Sequence, residues 1–569
     1  VFLVFFIRGA YEQKNNITHL SNVENKNLEL VVSDRFDVNG AYVSSIGYLS
    51  DEKVLVSYLV KSEEEKKFFK EKFWGGKLLV NANVEDTPEK TNFYSFDYKK
   101  YNENRGIFKR VTINEIHDVK NIDSIYFKFL TFRNKLSLKI NRELTFDKSG
   151  YFQALIFGDK GYLLKDDINS FENLGTSHLL AISGLHIGVL ISPIYFILLK
   201  FRVSVEYIEK IILTIVPLYM LLSGTSASVL RAGFMIIFYI LLRRKNIDKL
   251  GSLLLTFLIL IMYNPLFIFN IGFQLSFLIT FCLLMSERYI KKSKNKFHGA
   301  LRISIISTLA SMPILMYNFY NIVYISVFSN IILVPIFSVV IFPLVIFSYI
   351  LFLINIQLFN TICRPILNIT FNIFDKIQEL FLIAQPIRIG KLNIFFIIVI
   401  FIFVLTILIN LNKFKYMSAI YGVFGIILVC LGATHTPKAY IEDVNIGKKS
   451  ILYIRENKKN MLINTSNNIQ NFYTDYRKKD KDYDIINQYD LLLNYEGKNK
   501  FDYLLLTSAK KNKSEYSLDL IANDLVGKVI VIESLEKKLQ EVRNMAQYKK
   551  IDYIVLKENT EMKFGKSSI

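Results

Sequence analysis

The sequence predicts a polytopic α-helical membrane protein flanked by two polar domains, the first of them rich in β-strand. Three observations carry this expectation. The 569 residues are 51% hydrophobic yet include 70 Lys+Arg and 50 Asp+Glu, and a positive mean hydropathy beside so much charge means that apolar and polar residues are segregated along the chain. Long apolar runs dominate 178–433, whereas 15–170 and 438–569 are mixed or polar. Between about 28 and 113 the pattern alternates with the period of two that a half-buried strand requires. One soluble core is therefore excluded. The three cysteines, Cys282, Cys363 and Cys430, lie in or beside apolar segments, so neither polar domain can form a disulfide and no Cys-x-x-Cys metal pattern exists. The formal charge of +20 permits a polyanionic partner, although the excess of lysine and asparagine is partly compositional drift.

The elements follow in order. Residues 1–8 open on VFLVFFI, too short to cross a hydrocarbon core of about 30 Å, and read as part of a transmembrane helix, with a cleaved signal peptide as the alternative. Residues 15–120 hold LELVVSD, YVSSIGYL, KVLVSYLV, KLLVNANVE and IFKRVTI around one charged helix at SEEEKKFFKEKF, the pattern of a small barrel or sandwich. Residues 121–175 form an amphipathic helical connector in which Ile125, Phe129, Phe132 and Leu136 recur every three to four positions, suiting a membrane interface.

Apolar spans are expected across 176–435, near 178–199, 207–222, 226–242, 250–268, 271–285, 303–317, two across 321–354, 394–411 and 416–433. Lys200 with Arg202, Arg243-Arg244-Lys245, Lys291 to Arg302, and Lys413 with Lys415 then fall on one side, the cytoplasmic one. Both polar domains are thereby expected on the opposite, extracytoplasmic face. The amphipathic stretch 361–393, with Pro365 and Pro386 near its ends, reads as an interfacial helix on that same face.

Several polar groups sit at membrane depth. HLLAISGLHIGVL (178–190) contains His178, Ser183 and His186, with Gly184 and Gly188 four apart as a face for close helix approach. Arg231 lies at the start of a span, Gln274 and Ser276 lie in NPLFIFNIGFQLSF, and Asn330 lies in FSNIILVP. Isolated polar groups in hydrocarbon cost several kcal/mol unless satisfied. The expected lining of a hydrated path is therefore His178, Ser183, His186, Arg231, Gln274, Ser276 and Asn330, with Gly184, Gly188 and Gly272 as packing positions. Ser183 with His186 also fits a nucleophile and its base, and plain helix-to-helix hydrogen bonding remains a third reading. ISTLASMP and FSNIILVP, each ending in proline (Pro313 and Pro335), have the look of broken or re-entrant helices.

Taken in order, HLLAISGLHIGVL, SASVLRAGFM, NPLFIFNIGFQLSF, SMPILMYNF and SNIILVP resemble the successive motifs of the ComEC family of competence proteins. The upstream ALIFGDKGYLLKDDINSFENLGTSHLL and NFYSFDYKKYNENRGIF match as well, so the resemblance covers roughly 90–450. It implies a multi-pass channel of the bacterial inner membrane, not an enzyme, that imports single-stranded DNA during natural transformation. It also implies that the β-domain is OB-like. Such barrels bind single strands on basic and aromatic faces, and Lys99, Lys100, Tyr101 and Arg105 are the expected DNA-binding residues, within a wider set of Lys77, Tyr94, Phe96, Tyr98 and Lys109. An ordinary half-buried sheet edge is the alternative.

The resemblance further implies a metallo-β-lactamase-like domain at 438–569, but a degenerate one. In IEDVNIGKKSIL, NMLINTSNN and YLLLTSAKKNKSE, Lys448 and Asn464 replace acidic family residues, and SAKKNK (508–513) stands where the histidine motif belongs. No histidine follows His435. A dinuclear site needs several imidazole and carboxylate ligands, so no metal or other cofactor is expected and this domain is read as catalytically dead. Lys510, Lys511 and Lys513 then offer either a nucleic-acid contact or a merely solvated loop. The implied partners are single-stranded DNA, the lipid bilayer, a separate DNA receptor, a separate nuclease and a cytoplasmic ATP-driven motor, since no Walker-type loop occurs in the chain. Oligomeric state stays open. The competing readings are an intramembrane serine hydrolase, a small-molecule secondary transporter, and a decayed family member without a transport role.

Overall fold

The computed structural model describes residues 18–557 apart from 34–35, 74, 121, 145–146, 244–246, 434–438, 447–448, 457–458, 465–480 and 509–510, and beyond them 563–564 and 567–568. The apolar run at 1–8, Lys448 and Lys510 lie outside the described residues, as do the side chains of Asn464, Lys511 and Lys513.

The first domain holds β1 (Val23–Val32), β2 (Asp37–Asn39), β3 (Tyr42–Leu49), β4 (Glu52–Leu59), α1 (Glu63–Glu71), β5 (Gly76–Asp86), α2 (Tyr98–Glu103) and β6 (Lys109–Lys120). β1 pairs antiparallel with both β3 and β5. β3 pairs with β4, β4 runs parallel to β6, and β6 returns antiparallel to β5. Five strands therefore close on themselves. Alternation supplies the interior, with Val43 and Leu49 of β3 and Leu78, Val80, Ala82 and Val84 of β5 buried. Where β1 crosses β3 a side chain has no room: a Cβ on Gly47 would lie 2.8 Å from Val56 Cγ2 and 3.1 Å from the Val31 carbonyl oxygen. α1 starts at Ser62, whose hydroxyl accepts from the Glu65 N–H. Phe69 of α1 and Phe73 just after it pack on Phe36 with ring centroids 4.9 and 5.7 Å away.

The connector holds α3 (Ile125–Glu143), α4 (Gly150–Phe157) and α5 (Lys165–Asn173). Buried Gln153 ties α4 to α3: its amide donates to the Ser137 carbonyl at 2.7 Å and to Asn141 Oδ1 at 2.9 Å, and its oxygen accepts from Ser137 Oγ at 2.7 Å. The apolar helices that follow are α6 (Gly184–Lys200), α7 (Val205–Leu222), α8 (Ala227–Leu242), α9 (Lys249–Tyr263), α10 (Ile271–Met285), α11 (Lys296–Phe319), α12 (Ser326–Ile354), the amphipathic α13 (Arg364–Phe381), α14 (Ile394–Asn412) and α15 (Tyr416–Ala433). Three of them, Lys296–Phe319, Ser326–Ile354 and Ile394–Asn412, are long and apolar enough to cross a membrane.

Three expectations about this region are corrected. HLLAISGLHIGVL is not helical throughout: a short 3-10 turn at Ser177–Leu179 is followed by a break, and α6 begins at Gly184. The stretch 321–354 holds one helix of 29 residues, not two spans. Pro335 does not break it, because the ladder widens to a π-helical turn at Ile336–Ile341, the kind of local adjustment that accommodates a missing N–H. Pro313 likewise sits inside α11.

α12 packs lengthwise on the connector. Ser329 Oγ donates to the Leu174 carbonyl at 2.9 Å near one end, and Tyr349 meets Phe157 edge-on at 6.0 Å near the other. The connector, α12 and α13 share one core built on Tyr151, Phe152, Phe171, Phe337, Phe342, Phe371 and Phe374. α13 has three faces. Leu367, Phe371, Phe374 and Gln378 are buried, Ile366, Ile369, Ile373 and Leu380 are exposed apolar residues, and Asn368, Asn372, Lys376 and Glu379 are exposed polar ones.

The C-terminal domain is a mixed six-stranded sheet. β9 (Ala439–Ile446), β10 (Lys449–Glu456) and β11 (Lys459–Asn464) are antiparallel, and β12 (Phe501–Leu506), β13 (Val526–Ile532) and β14 (Asp552–Leu556) continue in parallel. Helices α16 (Lys481–Glu496), α17 (Lys511–Ala522) and α18 (Gln540–Tyr548) accompany it.

Candidate functional site

The polar seam forms where α6, α8 and α10 meet. Ser183 is the residue before α6, and its backbone N–H donates to His186 Nδ1 at 3.1 Å, with the Ser183 hydroxyl 3.0 Å from the same nitrogen. The pair is a reciprocal helix cap, which satisfies donors that a helix start leaves unbonded. His186 is fully buried against Phe337 and Phe342, ring centroids 6.0 and 4.6 Å away, and its Nε2 has no partner among the described residues. Because Nδ1 accepts a backbone N–H, the neutral ring carries its proton on Nε2.

Arg231, in the second turn of α8, is 8% exposed, and its Nε donates to Ser276 Oγ of α10 at 2.6 Å. Gly184 opens α6 directly beside it: a Cβ there would lie 3.0 Å from Arg231 Nη2 and 3.3 Å from Ala232 Cβ. Close helix approach therefore falls at Gly184. It does not fall at Gly188, where a Cβ meets nothing within 4 Å, nor at exposed Gly272, where it meets only Asn270 Oδ1 of the same helix cap. Those two packing expectations are corrected, since a small-residue face needs a partner helix at both positions.

The remaining expected path residues scatter. Gln274 is half-buried and donates to the Ile268 carbonyl at 2.8 Å, closing the turn before α10. His178 is exposed in its 3-10 turn. Asn330 is half-buried on α12 with Oδ1 unbonded. The structure brings together Ser183 with His186, and Gly184 with Arg231 and Ser276.

A second feature lies on the barrel. α2 starts at Asp97, whose carboxylate accepts from the Lys100 N–H, and it presents Tyr98 and Tyr101 stacked at 6.2 Å, with Phe96 5.4 Å from Tyr101 and the Arg105 guanidinium 5.3 Å from the same ring. Phe96, Tyr98, Lys100, Tyr101 and Arg105 are exposed, and Lys99 pairs with Glu89 at 2.9 Å. Three members of the wider expected set are elsewhere. Lys77 pairs with Glu29, buried Lys109 pairs with Asp86 at 2.7 Å, and Tyr94 is buried in the core of the C-terminal domain. The reason for the last is a tongue, residues 91–95, on which Asn92 bonds the Asn445 backbone twice, at 2.7 and 2.8 Å, and Phe93 packs on Tyr440 and Tyr495.

The C-terminal domain is also held to the apolar helices. A hairpin of β7 (Asn321–Ile322) with β8 (Ile387–Arg388) carries Arg388, which donates to Asp490 at 2.8 Å and to the Lys498 carbonyl at 3.0 Å. Gly390 and Gly497, both at positive φ, lie back to back, with a Cβ on Gly497 2.8 Å from the Ile389 oxygen. Burial pushes the Asp490 carboxyl up, and Arg388 partly counters this. On the connector, Lys148 bridges Asp167 at 2.8 Å and Asp375 of α13 at 3.0 Å. Burial opposes its charge, yet the two carboxylates hold its pKa above the ordinary value. The sequence pattern gave no signal for these long-range pairs. Among the described residues, no group of three or more His, Cys, Asp or Glu is placed to hold a metal ion.

Comparison with known proteins converges on the segment that contains the seam. Residues 155–414 match the family model described as Competence protein. The chain is similar to ComE operon protein 3 of Bacillus subtilis (strain 168), 28% identical over 322 residues that cover 56% of this chain and 41% of that protein. It is also similar to Recombination protein 2 of Haemophilus influenzae, 27% identical over 210 residues, covering 35% of this chain and 26% of the relative. The chain thus spans less than half the length of either relative. No solved structure matches it. Residues 155–414, the segment that contains the Arg231 seam, are similar to the competence-protein family.

Proposed function

We propose that this chain serves DNA uptake in natural transformation, as a membrane conduit for one strand of DNA in the bacterial plasma membrane. The observation that carries the reading is that the stretch matching the competence family encloses a buried arginine at the meeting point of three apolar helices. Single-stranded DNA is the proposed substrate. The exposed Phe96, Tyr98, Tyr101, Lys100 and Arg105 offer stacking surface and positive charge, the two features by which single strands are held.

We read the first domain as OB-like, supported by its closed ring of five strands, the parallel β4–β6 pair and the helix between β4 and β5. The C-terminal domain is read as a degenerate metallo-β-lactamase-like fold without nuclease activity. Both lie on one face in this reading, supported by the Asn92–Asn445 contact, and that face is the extracytoplasmic one by the distribution of Lys and Arg. The three-sided pattern of α13 supports an interfacial helix with its isoleucines in lipid. A separate receptor, nuclease and ATP-driven motor complete the proposal. Ser183 and His186 are read as a cap and not as a nucleophile and base, because Nδ1 is engaged by the Ser183 backbone and Nε2 has no orienting acid among the described residues.

The test is uptake of labelled DNA into the cytoplasm of the source cell. Deletion of the gene and Arg231→Leu at equal expression are both expected to abolish it. Unchanged uptake in the deletion strain would overturn the proposal.

A further inference from the structure

Two positive features meet at the start of α6. The first turn of a helix leaves N–H groups without intrahelical acceptors and carries roughly half a positive charge. Here Ser183 and His186 lock the cap, and the helix opens at Gly184. Arg231 brings a whole charge to the same place, with Nη2 3.0 Å from where a Gly184 Cβ would be. Ser276 fixes the guanidinium through Nε alone. Among the described residues no carboxylate pairs with Arg231; Glu209 and Glu287 pair instead with Arg243 and Lys291. A guanidinium at 8% exposure without a counter-charge costs a few kcal/mol. An oxyanion beside Gly184 would offset that cost, taking parallel N–H donors from the guanidinium and backbone N–H groups from the helix start. The absent side chain at Gly184 is what lets the guanidinium come this close to the start of α6.

We propose that Arg231 and the N-terminal turn of α6 form a binding site for the phosphate of a phosphodiester. Its source is either a DNA backbone, in which case the inference rests on the uptake reading above, or a phospholipid headgroup. Arginine is required because two of its donors meet one oxyanion, which lysine cannot reproduce.

The full chain, purified in a phosphate-free maltoside detergent, is melted in inorganic phosphate and in chloride at matched ionic strength. Phosphate is expected to raise the melting temperature of the native protein and not that of Arg231→Met. Gly184→Ala keeps the charge but crowds the guanidinium away from the helix start, so it is expected to lose the response even if Arg231→Met does not fold. An equal phosphate response in Gly184→Ala, or none in the native protein, overturns the site. Two further arms identify the source. If it is DNA, an oligothymidylate competes with phosphate, and its salt slope falls by about 0.7 in the variants, the value for one phosphate contact on a single strand. If it is lipid, native mass spectrometry finds a retained phospholipid that Gly184→Ala lacks. A phosphate response with no oligothymidylate binding would sink the uptake reading while leaving the site intact.

Discussion

Gly158→Val is expected to destabilise the protein by roughly 3–5 kcal/mol. Gly158 ends α4 in the left-handed region, at φ 72°, where a β-branched residue is strained by about 1–3 kcal/mol. Its Cβ would also lie 2.3 Å from the Ser223 carbonyl oxygen, in the loop that joins α7 to α8, and backbone cannot yield as a flexible side chain can. This is the joint between connector and helical bundle. Arg133 spans it, donating to the Leu222 carbonyl and to the Phe157 carbonyl at 2.8 Å each. Thermal melting of the detergent-solubilised chain measures the loss. Gly158→Asn separates the two causes, since asparagine tolerates the backbone conformation but keeps the clash. A variant valine protein that melts with the native one would mean that connector and bundle do not touch here.

The joint illustrates which parts of the molecule were legible. Period-two alternation located the five barrel strands, because each buries one face. Their closure was not legible, since it depends on β1 pairing with both β3 and β5, and pairing over long sequence distances leaves no local trace. Apolar runs located most of the apolar helices, but proline was misleading at Pro335, where a wider helical turn takes up the lost hydrogen bond. The seam was half legible. Arg231 stood out because charge in an apolar run is costly, whereas its neighbour Gly184 was picked for a spacing shared with Gly188, and only one of the two meets another helix. The segment 93–101 carries the sharpest lesson. Tyr94 and Tyr101 give the same signal in sequence, yet one is locked into another domain and the other lies on the surface. Aromatic residues suit a protein core and a stacked base equally well, and only the tertiary contact separates them.

The contact that seats the C-terminal domain gives a prediction with a sign. Arg388→Ala is expected to cost about 2–3 kcal/mol near neutral pH, combining a half-screened ion pair with lost hydrogen bonds to backbone carbonyls. Burial raises the Asp490 carboxyl above its unfolded value, so the folded state holds that proton more tightly and stability falls as pH rises through the interval. Arg388 lies 2.8 Å away and favours the charged form. Without it the carboxyl rises further, and the interval over which stability is lost widens. At neutral pH the variant buries a carboxylate that lacks this partner; below the ordinary carboxylate range Asp490 is protonated folded and unfolded alike, and only the carbonyl bonds are missed. The stability gap between native and Arg388→Ala protein should therefore shrink as pH falls through the carboxylate range, while Asp490→Asn, which cannot titrate, should show no such narrowing against its own Arg388→Ala double variant. Melting curves at neutral and acid pH decide it. A gap that stays constant would mean that Arg388 holds the domain through the Lys498 and Asn499 carbonyls alone. This hairpin joins the helices to the domain that also grips the barrel through Asn92, so loosening it weakens one of the contacts that hold the polar domains to the bundle. On the uptake reading proposed above, Arg388→Ala should lower DNA uptake as well.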